Sequence, residues 1–298
     1  MQVNPTHILQ QGPMIGTVLR SAAQVLLGKK VKGPVDPSKN RLPLRKTIPP
    51  RSPALVRDYI QHVGGDPSRY VGVVPAHLFA QWGFPLMSHT LDEDPYVLGR
   101  VLNVGNRIEI LKPLPAHEPL LLEACLDEVD DNGQRAILTE RLTTGTPSTP
   151  EALRCFAYAL VPLSKKKKKG GLKKERPSVP KDAKELATWR LSKRSGLHYS
   201  VLTGDFNPVH WLYPYAKAMG YRNVILHGLS QLARLIEDLN RALHGGDPGW
   251  LSAIEVKFLR PLVLPATVKS FIHEDGSLLV GEAPGAPAYL TGTYEERA

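Results

Sequence analysis

Residues 203–211 read TGDFNPVHW, and residues 227–243 read HGLSQLARLIEDLNRAL. In the first stretch Pro208 fits the first turn of a helix and Asn207 can cap it, so His210 falls in that turn and Asp205 in the loop just before. A carboxylate and an imidazole thus meet at a helix entrance, where burial and helix polarity tune both groups. Such a pair suits general acid/base work. A capped polar turn holding one structural histidine accounts for the same residues, and on spacing alone both readings stand. In the second stretch Leu229, Leu232, Ala233, Leu235, Ile236, Leu239 and Leu243 form one apolar face, with Gln231, Arg234, Glu237, Asp238 and Arg241 opposite. That spacing predicts a long helix over 228–243.

Outward from these stretches the pattern is mostly strands. A short strand is expected over 187–191, and three or four more over 251–294 with a hairpin turn at Glu274-Asp275-Gly276. Upstream, SKKKKKGGLKKERPSVPKD joins a charge run to glycines and prolines, the composition of a linker. The part before it predicts helices over 54–63, with Ser52 as cap and Pro53 in the first turn, and over 76–83. Strands follow over 96–110, 120–128, 134–144 and 153–163, with Asp131-Asn132-Gly133 as a hairpin signal. The two parts echo each other: EILKPLPAHEPL (109–120) and KFLRPLVLPATV (257–268) each read as strand, basic residue, Pro-Leu. The organisation expected is a basic extension (1–51), an α+β unit (52–163), a linker (164–184) and a second α+β unit (185–298), the two units being a duplication.

The chain has 298 residues, 42% hydrophobic and 22% charged, a composition that excludes wholesale disorder. No run approaches the ~18–20 apolar residues of a membrane span. The apolar stretch 14–27 lacks a basic leader and carries Arg20, so it is read as an amphipathic helix that packs on the protein or lies on a membrane surface, not as a signal peptide. The net charge of +10 suggests nucleic acid until it is located: residues 164–176 carry +7 and residues 1–51 carry +8, leaving −5 for the rest. Binding to nucleic acid is therefore not expected; the lysine run (Lys165 to Lys169) is a solvated loop or a lure for an acidic carrier protein. Cys125 and Cys155 have no metal-ligand spacing and read as reduced core residues of a cytoplasmic protein.

The stretch 199–228 also resembles the MaoC-like dehydratase and R-specific enoyl-CoA hydratase family. Tyr199, Thr203, Gly204, Asp205, Asn207, Pro208, Val209, His210, Ala216, Gly220, Tyr221, His227 and Gly228 stand in the order of that family's signature, with Thr203 where serine is usual. The resemblance implies a double hot dog, each half an antiparallel sheet wrapped around a central helix, here with 228–243 as the C-terminal one. The N-terminal half has no such motif; PAHLFAQWGFPL (75–86) is its counterpart helix, and one site per chain follows. By the same resemblance Asp205 and His210 are the catalytic dyad, and Gly228 offers its N–H to the thioester oxygen. Asn207, Tyr199, Thr203 and His227 are supporting or substrate-touching residues. No metal and no cofactor are expected; the substrate is a (3R)-3-hydroxyacyl or trans-2-enoyl thioester, carried on coenzyme A or acyl carrier protein, and a homodimer is an open outcome. A non-catalytic acyl-CoA-binding hot dog and a hot-dog thioesterase are the alternatives.

Overall fold

The computed structural model describes residues 3–27, 42–92, 96, 101–163 and 177–297, so the lysine run at 165–169 lies outside the described residues. The strands are β1 (Leu44–Ile48), β2 (Val73–Val74), β3 (Leu102–Ile110), β4 (Leu114–Pro115), β5 (Leu120–Asp131), β6 (Arg135–Gly145), β7 (Leu153–Pro162), β8 (Lys184–Leu191), β9 (Leu251–Phe258), β10 (Ala266–Ile272), β11 (Leu278–Gly281) and β12 (Leu290–Glu296). The helices are α1 (Gly12–Leu26), α2 (Pro53–His62), α3 (Ala80–Thr90), α4 (Ser195–Thr203), α5 (Tyr213–Ala218) and α6 (Gly228–Leu243). Ten strands form one sheet in the order β1-β5-β6-β7-β3-β9-β12-β11-β10-β8.

That order is a palindrome of roles. β3 and β9, the strands that follow α3 and α6, pair antiparallel at the centre, with Asn106 opposite Val256 and Ile108 opposite Ile254. β1 and β8, which precede those helices, are the two outer edges. The sequence echo falls at equivalent places, since Lys112-Pro113 and Arg260-Pro261 both follow the ends of the central strands. The hairpins at Gly133 (φ 75°) and Gly276 (φ 79°) join β5 to β6 and β10 to β11, each in the left-handed region that glycine adopts without strain. Each half is thus a meander wrapped on a helix, and the two are fused edge to edge as the expected double hot dog.

Several expectations change. The segment 1–51 supplies β1, which pairs with β5 from Leu44–Ala124 to Ile48–Leu120, and α1, which packs on α3. From the linker, Val179 is buried beside Phe271 and Leu279. Helix α1 docks by its first turns, through buried Gln11 and Met14, while Leu19, Leu26 and Leu27 face solvent, so the apolar spacing of 14–27 does not mark the packed face. Ser52 sits at the start of α2 without a side-chain capping bond. Helix α3 runs through Pro85 to Thr90, past the expected end at 83; burial of Trp82, Leu86 and Met87 outweighs the backbone bond that proline removes. Cys155 is in the core, whereas Cys125 is partly exposed on β5. Among the described residues no helix is long and apolar enough to cross a membrane.

The largest difference concerns α6. Its apolar face packs on the C-terminal sheet as predicted, but Gln231, Glu237 and Asp238, expected at the surface, are buried as well. The N-terminal half covers them. Glu237 Oε1 accepts from Tyr70 Oη at 2.7 Å and from His77 Nε2 at 3.0 Å, and its Oε2 accepts from Asn240 Nδ2 at 3.3 Å. On the sheet side, Asp238 Oδ2 accepts from Trp189 Nε1 at 2.7 Å and Ser270 Oγ at 2.6 Å. Burial alone raises the Glu237 carboxyl, yet these donors outweigh it and hold the group below its ordinary value. Because removing the carboxylate leaves the buried donors of Tyr70, His77 and Asn240 without their acceptor, Glu237→Ala should lower unfolding free energy by about 3–5 kcal/mol in urea titrations, and Glu237→Gln by less. Equal stability of wild type and Glu237→Ala would refute the role given to this contact.

Candidate active site

Helix α4 stops at Gly204, whose φ of 81° and N–H bond to Ser200 O at 2.7 Å turn the chain sharply into the loop. A side chain there is doubly excluded, because a Cβ would also lie 2.5 Å from the Cβ of Met14 on α1. Asp205 follows, its carboxylate accepting from Asn207 N at 3.3 Å. Asn207 then caps a single 3-10 turn, Pro208–His210, by accepting from Val209 N at 3.3 Å. The sequence reading of a proline-started, Asn-capped turn holds, although the turn is three residues long and not the start of a longer helix.

His210 donates from Nδ1 to the Ile225 carbonyl at 2.9 Å, an acceptor-only partner, so the ring's Nε2 keeps its lone pair. His227 sits at the start of α6, buried, and its Nε2 donates to the Asp205 carbonyl at 3.0 Å. Ser200 Oγ donates to the same carbonyl at 2.6 Å. The two imidazoles stack at 3.6 Å between ring centroids. Tyr199 packs against His227 at 4.8 Å, and Thr203 Oγ1 turns back to Tyr199 O at 2.8 Å, bracing α4. Gly228 opens α6; a Cβ there would meet the Phe258 ring at 2.8 Å, so only glycine leaves this helix end open. The first N–H groups of α6 have no partner within the helix and point their dipoles at the site.

One carboxylate oxygen of Asp205 and one nitrogen each of His210 and His227 lie within 4.8 Å of one another. Among the described residues no direct hydrogen bond joins Asp205 to His210, and a gap of that size is spanned by one water with a normal bond on each side. Two histidines and a carboxylate are also a metal-ligand set. The near-parallel rings, 23° apart, and the His227 Nε2 bond to a carbonyl aim poorly at one ion with ligands ~2.0–2.1 Å away. Beside Asp205 lies a cavity of about 10 Å³, roughly one water, walled by Tyr199 and Leu229, by Met14 of α1, and by Ala80 and Phe84 of α3.

Burial sets the charge state. It pushes His227 down to about 3, with the nearby His210 acting in the same direction against Asp205. It also lowers His210, against the Asp205 carboxylate and the Ile225 bond. Both rings are neutral near pH 7. The structure brings together Asp205, His210, His227, Gly228, Tyr199 and Thr203; Asn207 is exposed and acts on the turn. What spacing does not reveal is the contribution from outside the motif: Met14, Ala80 and Phe84 at the cavity, and His62, packed edge-on to His198 and near Tyr199, at the back.

Burial also lowers His62 to about 3, with Arg234 adding to it. In the unfolded chain His62 and His227 take up protons near pH 6.5, and in the folded protein only near 3. Their contribution is complete above pH 6.5 and is lost as pH falls toward 3, at up to about 1.4 kcal/mol per pH unit for each group. His62→Gln should flatten the slope of urea-derived stability between pH 6 and 4 by about that amount; a slope equal to wild type's would contradict it.

Residues 177–282 match the MaoC-like domain. The chain is 28% identical over 185 residues to a peroxisomal enoyl-CoA hydratase 2 of Arabidopsis thaliana, covering 56% of each protein. It is 26% identical over 289 residues to 3-hydroxyacyl-thioester dehydratase X of Mycobacterium tuberculosis, covering 93% of this chain and 95% of that one. The crystal structure of HtdX from Mycobacterium tuberculosis superposes with a TM-score of 0.67 at 20% identity, over 85% of this chain and 100% of that one. The MaoC-like match thus spans the residues that hold Asp205, His210 and Gly228, and the fold of the chain is a double hot dog.

Proposed function

We propose that the chain is a hydro-lyase that interconverts a (3R)-3-hydroxyacyl thioester and a trans-2-enoyl thioester plus water, with no cofactor beyond the thiol that carries the acyl group. The observation that carries the proposal is the cluster of an Asp205 carboxylate oxygen and one nitrogen each of His210 and His227 within 4.8 Å of one another, at the N-terminus of α6. In the hydration direction the held water loses a proton to the dyad as its oxygen bonds to C3. The thioester oxygen gathers negative charge, and a proton returns from the dyad to C2. Because the C2–H bond is only weakly acidic, the reverse step needs both a base and a stabilised enolate oxygen. The Gly228 N–H supplies the second, helped by the helix dipole. His227 and Ser200 hold the Asp205 backbone in place, so the carboxylate is aimed by bonds that do not take part in the proton transfer.

The names of the plant and mycobacterial relatives support this assignment, as does the intact dyad, which a purely binding protein does not need. Coenzyme A and acyl carrier protein both remain within the proposal as carriers. Purified protein should remove the conjugated absorbance of crotonyl-CoA reversibly. Asp205→Asn and His210→Gln should each lower kcat by about 10²–10⁴-fold with unchanged circular dichroism. Release of free thiol in place of hydration would identify a thioesterase, and no reaction with any thioester would overturn the proposal.

A further inference from the structure

Resting on the hydro-lyase reading, we infer that the N-terminal segment is a wall of the substrate pocket, and that Met14, with Phe84 across from it, limits the acyl group to a short chain. The segment is fastened at several points. Gln11 Nε2 donates to Val201 O at 3.2 Å and Leu202 O at 3.0 Å on α4, while its Oε1 accepts from Gln81 Nε2 of α3 at 3.0 Å. His7 Nε2 lies 2.8 Å from Asp58 Oδ2 on α2, and Arg20 donates to Asp92 and Ser88 at the end of α3. These contacts hold the Met14 Cβ against Gly204, the residue just before Asp205. Met14 is 5% exposed, and it lines the same cavity as Asp205.

The reaction fixes what must enter that cavity. C1 meets the Gly228 N–H, while C2 and C3 lie over the dyad, so only carbons beyond C3 occupy space further in. The room there is about 10 Å³, one water or one methyl group. A four-carbon enoyl group fits; each further methylene must displace Met14 or Phe84. Met14 of α1 and Ala80 and Phe84 of α3 share the lining with Tyr199, Thr203 and Leu229, so the N-terminal part of the protein helps to set the chain length accepted, while the C-terminal part supplies the chemistry.

The test compares wild type with Met14→Val and Phe84→Leu, two apolar shortenings on opposite sides that a close-packed site tolerates. Turnover of crotonyl-CoA and trans-2-octenoyl-CoA is measured together with calorimetric binding of butyryl-CoA and octanoyl-CoA, which lack the double bond. Wild type should favour the four-carbon compounds, and the variants should raise the eight- to four-carbon ratio of kcat/KM and of affinity by about tenfold or more, the selectivity one methylene typically confers. Folded variants with unmoved ratios in both measurements would overturn the inference, as would wild type that prefers eight carbons. Binding that shifts in this way without any turnover would sink the hydro-lyase reading and leave the pocket assignment standing; no binding of either saturated ester would overturn both.

Discussion

Burial of α6 on every side is the constraint from which the rest of the molecule follows. A hot-dog helix lying on one sheet needs only one apolar stripe, and its polar face can stay in water. Here the first half of the chain covers that face, so the polar side chains on it need partners from the covering layer or from the sheet. His77 and Tyr70 answer Glu237 from the N-terminal half, and Trp189 and Ser270 answer Asp238 from the C-terminal sheet. The central β3–β9 pairing fuses the sheets, and these polar contacts fix how the first half sits over the second.

The same burial prepares the chemistry. Taking α6 out of water removes solvent from its N-terminus, where the unpaired N–H groups of the first turn then act in a medium of low polarizability. It also lowers the proton affinity of His210 and His227, so the rings at the site are bases with a free lone pair and not cations. Neutral imidazole leaves the Asp205 carboxylate beside His210 and His227 without a full counter-charge. His227 has a separate task. Its ring is stacked under His210 and spends its N–H on a backbone carbonyl, which makes it the support on which the reacting ring lies.

What the sequence discloses and what it conceals divide along physical lines. Patterns that arise within one element are legible: α6 begins and ends where its 3.6-residue spacing does, the Gly133 and Gly276 hairpins are where positive φ is required, and the Pro-Leu echo marks the ends of the central strands. The grouping of Asp205, His210 and His227 is legible because its members are close in sequence or stand at a helix start. Features that depend on contact between distant segments are not. Glu237 and Asp238 look like surface residues because a sequence shows one helix and not the layer laid over it. Leu19 and Leu26 on α1 look like a packing face, but the helix docks by its first turns through Gln11 and Met14. Pro85 suggests an end to α3 that tertiary packing overrides.

The first half lacks the motif, yet it cannot be a passive duplicate. A hot-dog unit whose central helix is α3 exposes the end of that helix toward its partner, and a duplication would place a second acid and imidazole there. In this chain the equivalent turn carries His77, which faces Glu237 inside the core and away from the site. Losing the reactive residues frees the surrounding positions to vary in shape, and Ala80 and Phe84 on α3 sit against the cavity in consequence. Ala80 and Phe84 are on α3 and Gly228 is on α6, so the shape of this wall and the N-terminus of α6 belong to different helices. The segment ahead of α2 extends this separation, since α1 reaches the pocket without touching the dyad's hydrogen bonds.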